Sequence, residues 1–187
     1  MADAPDLPRH ICVLNDREHN FYVNMRVVAD VITDVMRLCL EYGVQSDEKG
    51  VRDVDRAILE FFQKEKNKHD VATSNRRIKS TWYRQNRDNF LNNSYKDLDP
   101  TNLLGIIPRV TEIKEINPDL NFQILWKSIR EIKNIRNEVM HINISTYSKD
   151  TLTSISDKVN DIVDKLEKNF DIDSNEVVSI KEKYKKK

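Results

Sequence analysis

Apolar residues at helical spacing dominate this chain and restrict what it can become. Phe21, Met25, Val28, Ile32, Val35, Cys39 and Tyr42 alternate in steps of three and four, with Val27, Val31 and Leu38 widening the stripe. That period puts them on one side of an α-helix, whereas in a strand it would scatter them over both faces. The spacing returns in Val51, Val54, Ile58, Phe61 and Phe62, again in Leu125, Ile129, Ile132, Val139 and Met140, and in Leu152, Ile155, Val159, Ile162, Leu166 and Phe170. Three glycines and five prolines in 187 residues are too few for the turns of a β-rich fold. The expected fold class is all-α, a helical bundle of about six helices.

Punctuation between the stripes sets the expected boundaries. Gly43 suits the end of the first helix, whose stripe is broad enough to meet several partners or a second subunit. Ser74 suits the cap of a thin third helix reaching Leu91, with Ile78, Trp82 and Phe90 as its apolar content. Asp99 and Pro100 read as the cap and first turn of another helix, which Pro108 is expected to kink or break. Pro118 and Asp119 precede a helix over Phe122–His141, and Ser148 opens the last strong one. The expected organisation is a flexible N-terminus over 1–16, one helical domain over 17–170 with its motif-bearing core at about 97–170, and a lysine-rich tail over 171–187.

Composition narrows the functional classes. Lysine plus arginine and aspartate plus glutamate balance at 31 each, so affinity for a polyanion must come from local clusters. Gly43, Gly50 and Gly105 are isolated, which removes a phosphate-cradling P-loop or a dinucleotide fingerprint. No apolar run reads as a signal peptide or a membrane span, so no membrane partner is expected. Cys12 and Cys39, the two cysteines, fit a reducing compartment, cytoplasmic or nuclear, with Cys39 as a small core residue. His10, His19 and His69 make no ligand spacing with each other or with the cysteines; no metal site and no cofactor are expected.

The most informative word is Arg136-Asn137-Glu138-Val139-Met140-His141. At about 100° per residue, Arg136 projects roughly 20° from Leu125, into the apolar stripe. A guanidinium keeps its proton in a protein, so an anion or a cleft should meet it there. The plainer alternatives are that it snorkels to the surface or pairs with a carboxylate of another helix. Asn137 and His141 share a side of the helix, four residues apart. The β-branched and polar run Ile142–Thr146 should end the helix, and fraying at His141 would let arginine and histidine reach one phosphate. Glu138 points off the stripe and reads as a surface charge.

An arginine followed by a polar residue, and by a histidine after four to six intervening positions, resembles the signature of the HEPN superfamily of RNases. Here the polar residue is Asn137, and amphipathic helices lie on both sides, Phe122–His141 and Ser148–Phe170. The resemblance covers about Asp97–Phe170; Glu18–Leu91 is helical without a matching word. It implies metal-independent endoribonucleolytic cleavage of RNA to 2′,3′-cyclic phosphate and 5′-hydroxyl ends. In that role His141 moves protons, Arg136 holds the scissile phosphate and Asn137 orients. One histidine per chain falls short of an acid and base pair, and family members resolve this by homodimerising around a composite cleft. The alternatives are a non-catalytic HEPN-like module for dimerisation, nucleotide binding or scaffolding, and an unrelated helical adaptor. Control of the activity by a protein partner or activator is compatible with each.

A second cluster joins cations to aromatics. Arg76, Arg77, Lys79, Arg84 and Arg87 flank Trp82 and Tyr83, a mixture suited to tracking a backbone and stacking unpaired bases. The alternative is a solvated helix face whose Trp82 is core. Lys181, Lys183, Lys185, Lys186 and Lys187 would add non-specific phosphate attraction or simply solubilise the end.

Overall fold

The computed structural model describes residues 15–44, 50–72, 88, 90–111 and 120–183, the side chains of 65–72 excepted. Asn15 opens the first helix, α1 (Asp16–Gly43), by a reciprocal cap. Its side chain accepts from the Glu18 N–H at 3.0 Å, and the Glu18 carboxylate accepts from the Asn15 N–H at 2.9 Å. Two of the helix's orphan donors are satisfied in this way. From Val31 to Gly43 this helix is buried nearly all round, and four of the later helices pack on it. The broad stripe offered to a second subunit is thus largely consumed inside the chain.

Gly50, in a left-handed conformation at φ +79° that suits glycine, precedes α2 (Val54–Ala72). Ile58 and Phe62 of α2 are buried, and the Phe62 ring lies 5.4 Å from that of Phe90. Val51, expected within this helix, stands before it and is 57% exposed. Of the helix expected over Ser74–Leu91, all but the C-terminal end lies outside the described residues. A short 3₁₀ turn at Tyr95–Asp97 is tied to α2 by Asp55, which accepts from the Tyr95 N–H at 2.8 Å and the Ser94 hydroxyl at 3.0 Å.

The cap expected at Asp99 is present. Its carboxylate accepts from the N–H groups of Thr101 and Asn102, with Pro100 in the first turn of α3 (Pro100–Val110). Of the kink or break expected at Pro108, the break is absent, since the helix runs on to Val110. A proline so close to the C-terminus removes one intrahelical bond and little else. Beyond it, the Thr111 hydroxyl returns to the Ile107 carbonyl at 2.7 Å.

Three helices complete the bundle: α4 (Leu120–His141), α5 (Lys149–Asn169) and α6 (Ser174–Glu182). Ser148 caps α5 through the Thr151 N–H at 3.1 Å, at the position read from the sequence. The helix α6 falls within 171–187, the stretch read from the sequence as a lysine-rich tail. Its Val177 and Ile180 are buried, packing on α5 and α1. Two apolar residues three apart are too short a stripe to stand out among lysines, yet one helical turn suffices to dock them. Among the described residues there is no strand, and no helix is long and apolar enough to cross a membrane.

Candidate functional site

The last turns of α4 carry the motif, and each flank of that helix has a different neighbour. Leu125, Ser128, Ile129, Ile132 and Ile135 form its buried face, and the helix packs on both α1 and α5. On the α5 side, Glu131 pairs with Lys165 at 3.2 Å and Glu138 with Lys158 at 2.8 Å, so Glu138 is the surface charge it was expected to be. On the α3 side, the Arg136 Nη2 donates to the Thr101 hydroxyl at 3.0 Å. Arg136 is half-buried, and no carboxylate among the described residues lies within ion-pair distance of it. The carboxylate-pairing alternative is therefore not what these residues show. A neutral hydroxyl satisfies one of five guanidinium donors, in a contact that is open to solvent.

Asn137 and His141 are exposed. His141 is the final residue of α4. The helix ends there as expected, but it remains regular to its last residue. The Ile142 N–H closes onto the Val139 carbonyl at 3.1 Å. On a regular helix Arg136 and His141 leave the axis about 140° apart, separated by roughly 7.5 Å along it. Arg136 faces the α3–α4 seam and His141 faces outward, so one chain does not bring them together. Met140, expected on the buried face, is 68% exposed, whereas Val139 packs partly against the core. The stripe narrows as α4 runs out beyond its partners.

Asn143 shapes the turn after α4. Its side-chain oxygen accepts from the N–H groups of Ser145 and Thr146 at 3.0 and 3.1 Å, and its carbonyl accepts from the Tyr147 N–H at 2.9 Å. The turn delivers Tyr147 to α1, where its hydroxyl accepts from the Asn24 side chain at 2.5 Å and its ring meets Phe21 edge-on. There the structure opens a groove of about 950 Å³ between the N-terminal halves of α1 and α5. Arg17, Asn24, Val27, Tyr147, Lys149 and Leu152 are among its walls, and neither Arg136 nor His141 is. Sequence reasoning named Val27, Val28, Leu152 and Lys183 but did not single out Arg17, Tyr147 or Lys149. A smaller groove of about 200 Å³ lies in the α3–α4 seam, between Leu104, Ile107 and Pro108 on one side and Trp126, Ile129, Arg130 and Lys133 on the other.

The other sequence candidates divide plainly. Arg76, Arg77, Lys79, Trp82, Arg84 and Arg87 lie outside the described residues. Lys181 is bound to Asp164 and Glu167, and Lys183 to Asp34. These two are thus engaged within the fold rather than offered to phosphate. Cys39 is fully buried, and burial pushes its thiol up to about 12, as a core residue requires. No group of three or more histidine, cysteine, aspartate or glutamate side chains among the described residues is arranged to hold a metal ion. Set beside known proteins, the chain matches no family model, no curated protein and no solved structure.

Proposed function

We propose that the chain is a HEPN-type, metal-independent endoribonuclease whose site forms between two copies of it. The observation that carries this reading is the half-buried Arg136, which has a hydroxyl for company and no described carboxylate in reach. A guanidinium in that state favours a bidentate anion, and a scissile phosphate has the right shape and charge. His141 stands at the helix end, where an imidazole can give or accept a proton. Asn137 shares its side of α4 and orients the bound strand. Arginine and histidine diverge within one chain, so a second copy must supply the histidine or the arginine that each phosphate lacks. Attack of the ribose 2′-hydroxyl on phosphorus, with its proton passing to one imidazole, forms the 2′,3′-cyclic phosphate. The other imidazole protonates the departing 5′-oxygen.

One specific observation favours a second reading, a HEPN-like module that binds or scaffolds without cleaving. The motif residues line neither of the two grooves described above, and His141 is exposed on the outer face. Incubation with single-stranded RNA in excess EDTA separates the two. The nuclease reading expects cutting by wild type and a loss of at least about 100-fold, the lower end of general acid–base contributions, in folded His141→Ala and Arg136→Ala. Intact RNA with all three proteins favours the binding module. Equal cutting by all three reveals a contaminating nuclease and removes the support for these residues.

A further inference from the structure

The groove between α1 and α5 lies apart from the motif and has a consistent chemistry of its own. In a chain whose charges cancel overall, its walls carry Arg17, Lys149 and Lys183 and no aspartate or glutamate. Lys183 is already neutralised by Asp34. Arg17 spends one donor on the Ile144 carbonyl at 3.1 Å, and neither it nor Lys149 has a carboxylate within ion-pair distance among the described residues. Lys149 is the first residue of α5, so the positive end of that helix adds to the same field. Below these charges the floor is apolar, formed by Val23, Val27, Val28 and Leu152. Its volume, about 950 Å³, is of the size that encloses a small organic molecule.

We infer that this groove binds a small organic anion, a phosphate or carboxylate carried on an apolar body. The charged end lies between Arg17 and Lys149 and the body lies over Val27 and Leu152. Tyr147, held by Asn24, offers its ring at one wall, while Thr153 and Ser156 offer hydroxyls along α5. The site is independent of the RNase reading, because no motif residue takes part in it. It stands or falls without regard to RNA cleavage.

The test is a fluorescence titration of the full chain with 8-anilinonaphthalene-1-sulfonate, an aromatic anion that brightens in apolar surroundings. The expected result is saturable one-to-one binding that weakens at least about tenfold, some 1.4 kcal/mol, in Arg17→Glu/Lys149→Glu. A remote reversal, Lys64→Glu/Lys168→Glu, carries the same change in net charge and should leave binding as it was. Both double variants lie on exposed positions, and circular dichroism checks that they fold. Displacement of the probe by AMP would show a phosphate ligand, and displacement by laurate a carboxylate one. Equal weakening in both double variants, unchanged binding in the groove variant, or a probe that neither competitor displaces would overturn the proposal.

Discussion

Arg136 shows why side-chain direction has to be read along with residue type. Helical geometry placed it beside Leu125, and it is indeed half-buried, facing another helix. What a single stripe could not show was the neighbour. Thr101 comes from a helix whose start was legible in Asp99 and Pro100, but the docking of that helix was not. His141 was legible as the end of α4, since β-branched and polar residues come directly after it; its outward direction results from the helix staying regular to that point. Cys39 is the simplest case, because a small thiol on a dense stripe has nowhere to go but the core. With burial pushing its thiol up to about 12 from an ordinary 9.0, the folded state disfavours the thiolate. In a Cys12→Ser background, Cys39 should stay unlabelled by a thiol reagent at pH 8 until denaturant is added. The same shift makes the unfolded chain the better acid, so stability should fall as pH climbs from 9 toward 12. Wild type should lose Tm faster over that window than Cys39→Ala; parallel curves and rapid native labelling would show an accessible thiol.

At the scale of elements, the caps were the legible part and weak stripes were not. Asp99 and Ser148 mark boundaries because each answers a local backbone requirement that the surrounding fold does not alter, whereas α1 ends at Gly43 with Val44 as an extended cap. Pro108 does not break its helix because the effect depends on how much helix lies beyond it, and only two residues do. The helix α6 was missed because its apolar content is Val177 and Ile180 within a run of charges. Its docking is nonetheless specific: Lys181 reaches Asp164 and Glu167 on α5, and Lys183 reaches Asp34 on α1. Those ion pairs are partly exposed and contribute little each; the buried side chains hold the helix. Ile180→Ala should therefore cost about 2 kcal/mol or more, the usual range for removing a buried isoleucine side chain. Lys181→Ala should cost under about 1 kcal/mol. Denaturant unfolding measures both, and an Ile180→Ala variant as stable as wild type would mean that α6 does not dock as described.

At the scale of the whole molecule, the all-α class came from periodicity and the scarcity of glycine, both of which survive any detail of packing. The arrangement around α1 did not, since which helices share a broad stripe is decided by tertiary fit. The proposed nuclease adds a requirement that one chain cannot meet, because arginine and histidine point to different sides of α4. A particle of twice the 22.0 kDa chain mass is therefore expected by light scattering at micromolar concentration; a strictly monomeric mass would leave the site incomplete. The claim that a ribose hydroxyl is the nucleophile is most directly tested on a short RNA and its copy with a 2′-deoxyribose at the cut position, both in excess EDTA. The all-ribose strand should be cut to 2′,3′-cyclic phosphate and 5′-hydroxyl ends while the deoxy-substituted strand stays whole at that bond. Equal cutting of both strands, or products ending in a 5′-phosphate, would contradict it.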